Sequence, residues 1–150
     1  MGEFDRFLRS VFDRAEAEAR EEGSATVEAR HLLLALADGP DNPLAGAGLD
    51  YQAVKDALRK EFEHSLGAAG VSPGDLGLPP ATRDPKRHPP LGATFKLAME
   101  RMSIPPRKDV RVGHLLLLGV LRAEVGTVPR ALALAGIDRA ELIERVRNEL

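Results

Sequence analysis

The chain has 150 residues, of which 43% are hydrophobic and 29% charged, and its formal net charge is −2. It contains no cysteine and only 4% aromatic residues, which excludes disulfides, thiolate metal sites, cysteine nucleophiles and an aromatic platform for single-stranded nucleic acid. The length predicts one domain that folds without cross-links, and the negative charge argues against a general nucleic-acid binder.

The first half of the chain predicts amphipathic helices separated by glycine, proline and aspartate. Apolar residues recur with helical spacing over 5–22, and Gly23 ends the pattern. The charges between them are interpreted as a solvated face. A leucine-rich helix follows at 31–37, and Asp50 is predicted to cap a third helix. The packed face of that helix is predicted to carry three apolar residues: Val54, Leu58 and Phe62.

The segment 67–90 is predicted to be a linker, because ten of its 24 residues are Gly or Pro and no hydrophobic period survives there. Helical patterning resumes at Leu91. A second leucine-rich helix is predicted at about 112–123, Pro129 lies near the start of a short helix, and Asp138 caps the last one. Since no segment alternates with period two, the chain is predicted to be all-α.

The two halves of the chain repeat the same motifs in the same order. His31-Leu-Leu-Leu34 matches His114-Leu-Leu-Leu117, and Ala47-Gly-Leu-Asp50 matches Ala135-Gly-Ile-Asp138. Because neither half has enough apolar faces to close a core alone, we expect about eight helices in two four-helix repeats related by a pseudo-twofold axis. The prediction is a single domain over 1–150. Its parts are repeat 1 (about 4–66), the linker (about 67–90) and repeat 2 (about 91–150).

These repeats resemble the N-terminal domain of Clp/Hsp100 unfoldases, most closely the ClpC type. The resemblance covers about residues 4 to 150, and its anchors are Arg30-His31-Leu-Leu-Leu-Ala-Leu36 and Gly113-His114-Leu-Leu-Leu-Leu-Gly119. It implies a fold that receives substrates or adaptors. These 150 residues hold no Gly-Lys pair and hence no phosphate-cradling loop. We therefore expect the receiving domain without AAA+ modules, either as a stand-alone domain or as a fragment.

The chain departs from the ClpC pattern just before each histidine. In ClpC-type domains a Thr-Glu pair stands there, and the resemblance implies that this glutamate takes the guanidinium of phosphoarginine on tagged substrates. Here the pairs are Ala29-Arg30 and Val112-Gly113. A lost charge-assisted hydrogen bond costs about 1.5–3 kcal/mol. The usual phosphoarginine site is therefore predicted to be lost, although Arg30 would attract a phosphate or a carboxylate.

Candidate partner-binding residues follow partly from this resemblance and partly from charge. The resemblance implies hydrophobic partner contacts near the first and fifth helices, where Phe4 and Lys96 lie. Basic residues before the second leucine-rich helix would favour anions if they converged with Arg30. The predicted partner or ligand surface comprises Phe4, Arg30, His31, Arg87, Lys96, Arg111, Gly113 and His114.

The sequence predicts no catalytic group, no cofactor and no metal site. His31 and His114 lack further ligands at metal-binding spacing and are interpreted as structural. No serine lies in a strained, glycine-flanked turn. No apolar run approaches the length of a membrane span, and the start of the chain lacks the order of a signal peptide, so a cytoplasmic protein is expected.

Three functions remain open. The leading one is a non-enzymatic module that binds protein segments or Clp-system partners (unfoldase components, adaptors or clients) and so regulates proteolysis. Because ClpC-type N-domains are targets of cyclic-peptide antibiotics, the resemblance also implies sequestration of a peptide-like antibiotic. The third is a DNA-associated regulator that uses the short helices as a helix-turn-helix, which the negative net charge argues against.

Overall fold

The computed structural model describes residues 2–39, 41–70, 88–102 and 111–150, with the side chains of residues 3 and 4 left out. Seven α-helices and one short 3₁₀ turn occupy these ranges, which confirms the predicted all-α class. None of the helices in the described ranges is long and apolar enough to cross a membrane. The elements are α1 (Glu3–Glu22), α2 (Ala29–Asp38), the 3₁₀ turn (Ala45–Ala47), α3 (Tyr51–Ala68), α4 (Ala93–Arg101), α5 (Val112–Leu121), α6 (Thr127–Leu134) and α7 (Arg139–Asn148).

The two halves begin their last helix in the same way. The side chain of Asp50 accepts a hydrogen bond from the backbone N–H three residues ahead at 2.8 Å, and Asp138 does the same at 3.2 Å. Two residues before each cap, Gly48 and Gly136 have φ of +74° and +77°, a region that glycine enters without strain. Both predicted caps are confirmed, and the sequence repeat is also a repeat of local backbone structure.

The leucine-rich helices α2 and α5 form the centre of the molecule. All residues of α5 from Gly113 to Leu121 are buried, and so are those of α2 apart from Arg30 and Asp38. A helix that is apolar on every side must be covered on every side. Here α1 packs on α2, α4 packs on α5, and the two central helices touch each other.

Phe12 and Phe95 mark where the two repeats meet. They occupy equivalent positions in α1 and α4, and their rings pack edge to face, with centroids 5.3 Å apart and an interplanar angle of 75°. A residue touches its own counterpart only next to the axis that relates the two. The contact is therefore what a pseudo-twofold arrangement requires.

The repeats are also interlocked through their last helices. From repeat 1, α3 packs on α6 of repeat 2, where the buried carboxylate of Glu61 accepts hydrogen bonds from Arg130 Nε at 3.0 Å and from the Ser65 hydroxyl at 2.7 Å. From repeat 2, Arg145 of α7 donates to the backbone oxygen of Gly46 in the 3₁₀ turn at 2.5 Å. Each last helix thus contacts the third element of the other repeat.

The predicted packed face of α3 is wrong at Phe62, which is 55% exposed. The buried positions of this helix are Val54, Ala57 and Glu61. Hydrophobicity alone favours burial of Phe62 rather than of its charged neighbour Glu61. The carboxylate of Glu61 nevertheless takes the inner position, because Arg130 satisfies it from across the interface.

The predicted linker is only partly covered by the structure. Helix α3 continues through Ala68, slightly beyond the predicted end of repeat 1, and residues 71–87 lie outside the described residues. The chain is described again from His88, and Val27 and Leu91 then form a single parallel β-bridge. This bridge ties the entrance of α2 to the entrance of α4.

Gly119 allows the close crossing of α4 and α5, which gives a first prediction. A Cβ at this position would lie 2.2 Å from the backbone oxygen of Ala98, and backbone atoms cannot move aside without shifting a helix. We expect Gly119→Ala to lower the free energy of unfolding by about 1–3 kcal/mol, measured by urea denaturation.

Gly67→Ala is the matched control, because nothing lies within 4 Å of a Cβ at that helical position. It should leave stability unchanged or raise it by up to about 1 kcal/mol. Equal stability of the Gly119→Ala and wild-type chains would contradict the packing described for α4 and α5.

Candidate functional site

His31 lies in the first turn of the central helix α2 and is fully buried. Its Nδ1 accepts a hydrogen bond from the backbone N–H of Glu28 at 2.8 Å, so this nitrogen carries no proton. The proton is therefore on Nε2, which donates to the carboxylate of Glu22 at 2.5 Å. Together the two bonds hold the ring in one orientation.

The carboxylate of Glu22, at the end of α1, is shared between His31 and Arg30. The Nε and Nη2 atoms of Arg30 donate to its Oε1 at 3.1 and 2.7 Å, in the fork geometry of arginine–carboxylate pairs. Burial alone would raise the pKa of Glu22, but the hydrogen bonds from His31 and Arg30 and the charge of Arg30 outweigh it and lower the pKa to about 2. The positive charge of Arg30 is thus neutralised within the chain.

His114 has the equivalent position in α5 but different partners. It is 2% exposed, and its Nε2 lies 3.0 Å from a carboxylate oxygen of Glu149, just beyond the end of α7. Its Nδ1 has no hydrogen-bond partner among the described residues. The two histidines therefore serve as buried junctions that hold different helices: α1 to α2 through His31, and α5 to the end of the chain through His114.

Three of the predicted surface residues are buried in the core: His31, Gly113 and His114. Gly113 has no side chain, and the side chains of His31 and His114 are buried in the described chain, so a part for these three residues in a partner surface stays a prediction. A Cβ at Gly113 would lie 3.4 Å from the ring of Phe7, so this position faces α1. Glu28 and Glu22 satisfy both ring nitrogens of buried His31, whereas Glu149 satisfies only Nε2 of buried His114.

The other predicted surface residues that the structure describes lie on different elements. Lys96 of α4 is exposed, and so is Arg111 just before α5. Arg30 is partly exposed but engaged by Glu22. Arg87 and the side chain of Phe4 lie outside the described residues. The anion site expected from Arg30 together with Arg111 stays a prediction.

A groove of about 270 Å³ opens between the two repeats. The start of α2 forms one wall, α4 a second, and the end of α5 with the loop into α6 forms the rest. Its lining is mainly apolar, with Leu97, Val120 and Val128 among the lining residues. On its rim Val125 is 85% exposed. Sequence reasoning missed the groove, because its lining comes from separate segments that no local pattern connects.

Two hydrogen bonds donated by backbone N–H groups hold the polar wall of the groove in place. Val27 accepts a hydrogen bond from the backbone N–H of Gly92 at 2.8 Å, within the β-bridge. The backbone N–H of Ala29 donates to the Thr94 hydroxyl at 2.8 Å, which satisfies one of the free donors at the start of α2. The entrances of α2 and α4 are therefore held side by side.

Glu28 stands on this wall. Its Oε1 is buried and has no hydrogen-bond partner among the described residues. A Cβ on Gly92 would lie 1.6 Å from that oxygen, so the carboxylate occupies space that exists only because residue 92 is glycine. In the sequence, the one weak sign of such a close contact is Gly92, a glycine immediately before a predicted helix.

Glu22, Glu28 and Glu149 are the site residues that sequence reasoning missed. Glu22 lies in a charge run that the sequence predicts to be solvated, and its partners lie eight and nine residues away in another helix. Within the described ranges, no group of three or more metal-binding side chains comes together.

Comparison with known proteins agrees with the sequence resemblance. A family model described as the Clp repeat (R) N-terminal domain matches residues 3–104 of the chain. The match covers the first repeat, the predicted linker and α4. A search of curated proteins found no match to the chain.

The lowered pKa of Glu22 predicts how stability depends on pH. A carboxyl whose pKa falls from 4.5 to about 2 on folding stabilises the fold above pH 4.5, and that contribution is lost as the pH falls towards 2. We expect the free energy of unfolding of wild type to exceed that of Glu22→Gln by about 1 kcal/mol at neutral pH. The difference is small because Glu22 is 45% exposed and solvent screens its ion pair.

The measurement is urea unfolding of both proteins between pH 7 and 2, in which the difference should shrink below pH 4.5. The exposed Glu63, changed to Gln, is the control and should show no such trend. A wild-type advantage over Glu22→Gln that stays constant to pH 2 would contradict the role assigned to Glu22.

Proposed function

The chain belongs to the Clp repeat N-terminal domain family, and from this we propose that it is a non-enzymatic module that receives protein segments for a Clp system. The family match over residues 3–104 is the observation that carries the proposal. The proposed partners are clients, adaptors and unfoldase components. Adaptors and unfoldase components would bind the domain in the same way as a client segment.

The groove between the repeats supports a receiving role. Leu97 and Val125 are 41% and 85% exposed at its edge, and both would lose contact with water beneath a bound segment. An extended segment lying in a groove is a common mode of peptide recognition. We propose the groove as the place where such a segment lies.

We further propose that the domain does not take phosphoarginine in the manner of ClpC-type domains. Arg30 stands where the resemblance implies a glutamate, and its guanidinium already occupies the carboxylate of Glu22. In the second repeat Gly113 offers no side chain and faces Phe7. An incoming guanidinium would find neither of the two carboxylates that the resemblance implies.

The receiving role predicts preferential binding of unfolded protein. Fluorescence anisotropy with labelled α-lactalbumin, reduced and alkylated so that it stays unfolded, should show saturable binding without ATP. The native form of the same protein is the control, and we expect it to bind at least about tenfold more weakly because its apolar segments are buried. Equal binding of both forms, or binding of neither, would contradict the proposal.

The phosphoarginine proposal is tested by thermal unfolding with the free amino acid as ligand. A ligand that binds only the folded state raises Tm, so a non-ligand leaves it unchanged. We expect no shift of Tm with phosphoarginine up to millimolar concentration, with arginine and inorganic phosphate as controls for charge effects. A rise seen with phosphoarginine alone would overturn this proposal.

A further inference from the structure

We propose that the domain receives one protein segment at a time, because side chains of repeat 1 fill the place that the pseudo-twofold axis relates to the groove. The inference rests on the proposed function, since the segment is one that the domain receives in the groove. Two repeats of the same fold would by themselves predict two equivalent sites. In the part of the chain that the structure describes, the unequal burial of equivalent residues indicates that one of the two is open and the other is filled.

The counterpart of the groove is found by exchanging the two repeats, which exchanges His31 for His114. The groove lies between the start of α2, helix α4 and the end of α5. Its counterpart therefore lies between the start of α5, helix α1 and the end of α2. These three elements do meet, because a Cβ on Gly113 would lie 3.4 Å from the ring of Phe7 and 3.9 Å from a side-chain carbon of Leu36. We call this place the counterpart site.

The helical walls of the two places differ at equivalent residues. Leu97 of α4 is 41% exposed in the groove, whereas its equivalent in α1, Arg14, is half-buried and packs beside Gly39. Gly119 of α5 brings no side chain to the groove, whereas its equivalent in α2, Leu36, has a side chain and is 2% exposed. The counterpart site is therefore occupied by side chains that the groove lacks.

The loops that follow the leucine-rich helices differ in the same direction. Val125, after α5, is 85% exposed at the edge of the groove. Its equivalent after α2 is Asn42, whose side chain donates to the backbone oxygen of Leu49 and accepts from the backbone N–H of Leu44, both at 2.8 Å. Leu44 itself is fully buried. The loop of repeat 1 is thus held against the core, whereas the loop of repeat 2 leaves an apolar side chain in water.

The difference in burial decides where a segment can bind. Binding gains free energy chiefly where apolar surface leaves water. The groove offers such surface at Leu97 and Val125. At the counterpart site Leu36 and Leu44 are already buried by the fold, so a segment lying there would cover less apolar surface than in the groove. The occupant that fits this asymmetry is a single unfolded segment that carries aliphatic side chains.

The test puts a cross-linker at equivalent positions of the groove and the counterpart site. The chain has no cysteine, so one introduced cysteine is labelled alone. Glu124 and Asp41 are both exposed, and each lies three residues beyond the end of its leucine-rich helix. Chains with Glu124→Cys or Asp41→Cys, labelled with benzophenone maleimide, would be irradiated with unfolded, alkylated α-lactalbumin. We expect at least about tenfold more cross-linked product from Glu124→Cys.

Exchanging residue types between the repeats gives a second measurement. Leu97→Arg copies the residue of repeat 1 into the groove and should weaken the binding of unfolded α-lactalbumin at least about fivefold, measured by fluorescence anisotropy. Leu134→Arg, at an exposed leucine that does not line the groove, adds the same charge and should bind as wild type does. Arg14→Leu makes the reverse exchange and should create no second site, because Leu36 still fills the place.

The outcomes separate this inference from the function on which it rests. Equal cross-linking from Asp41→Cys and Glu124→Cys would overturn the single site and leave the receiving role standing. Binding seen by anisotropy with no product from Glu124→Cys would do the same, and so would equal losses for Leu97→Arg and Leu134→Arg. If wild type binds no unfolded protein, the proposed function fails and this inference fails with it.

Discussion

The two halves of the chain share one hydrophobic core, and the rest of the structure depends on this constraint. Helix α3 of repeat 1 lies on α6 of repeat 2 through the buried Glu61–Arg130 pair, and α7 of repeat 2 reaches back to Gly46. The Val27–Leu91 bridge and the hydrogen bond from Ala29 to Thr94 hold the entrance of α2 beside that of α4. The groove that we connect to function lies beside this junction.

The two histidines show how one sequence motif acquires different surroundings. Each begins a leucine-rich helix, where burial requires hydrogen-bond partners for the imidazole. His31 obtains them from the Glu28 backbone and from Glu22, whereas His114 relies on Glu149 near the end of the chain. Glu22 also pairs with Arg30, the residue that stands where the family resemblance implies a glutamate. On the groove wall, the carboxylate of Glu28 caps the start of α2, and its Oε1 has no hydrogen-bond partner among the described residues.

Much of the fold was predictable from local patterns. Helical periodicity gave the elements, Asp50 and Asp138 gave the starts of the last helices, and the repeated His-Leu-Leu-Leu motif gave the central pair. These features depend on residues close together in the chain. The pairing of Arg30 with Glu22 and the space above Gly92 depend on contacts between helices, and no local pattern encodes them. Phe62 shows the same limit, since only the partner Arg130 explains why its charged neighbour Glu61 is buried instead.

The claim that the groove between the repeats receives protein segments is tested most directly by mapping a bound segment onto the chain. We would titrate the ¹⁵N-labelled protein with unfolded, alkylated α-lactalbumin and follow backbone amide shifts. We expect the largest changes to cluster at Leu97, Val120 and Val125, which line the groove. Changes centred on exposed apolar residues that do not line the groove, such as Phe62 and Leu134, would contradict it.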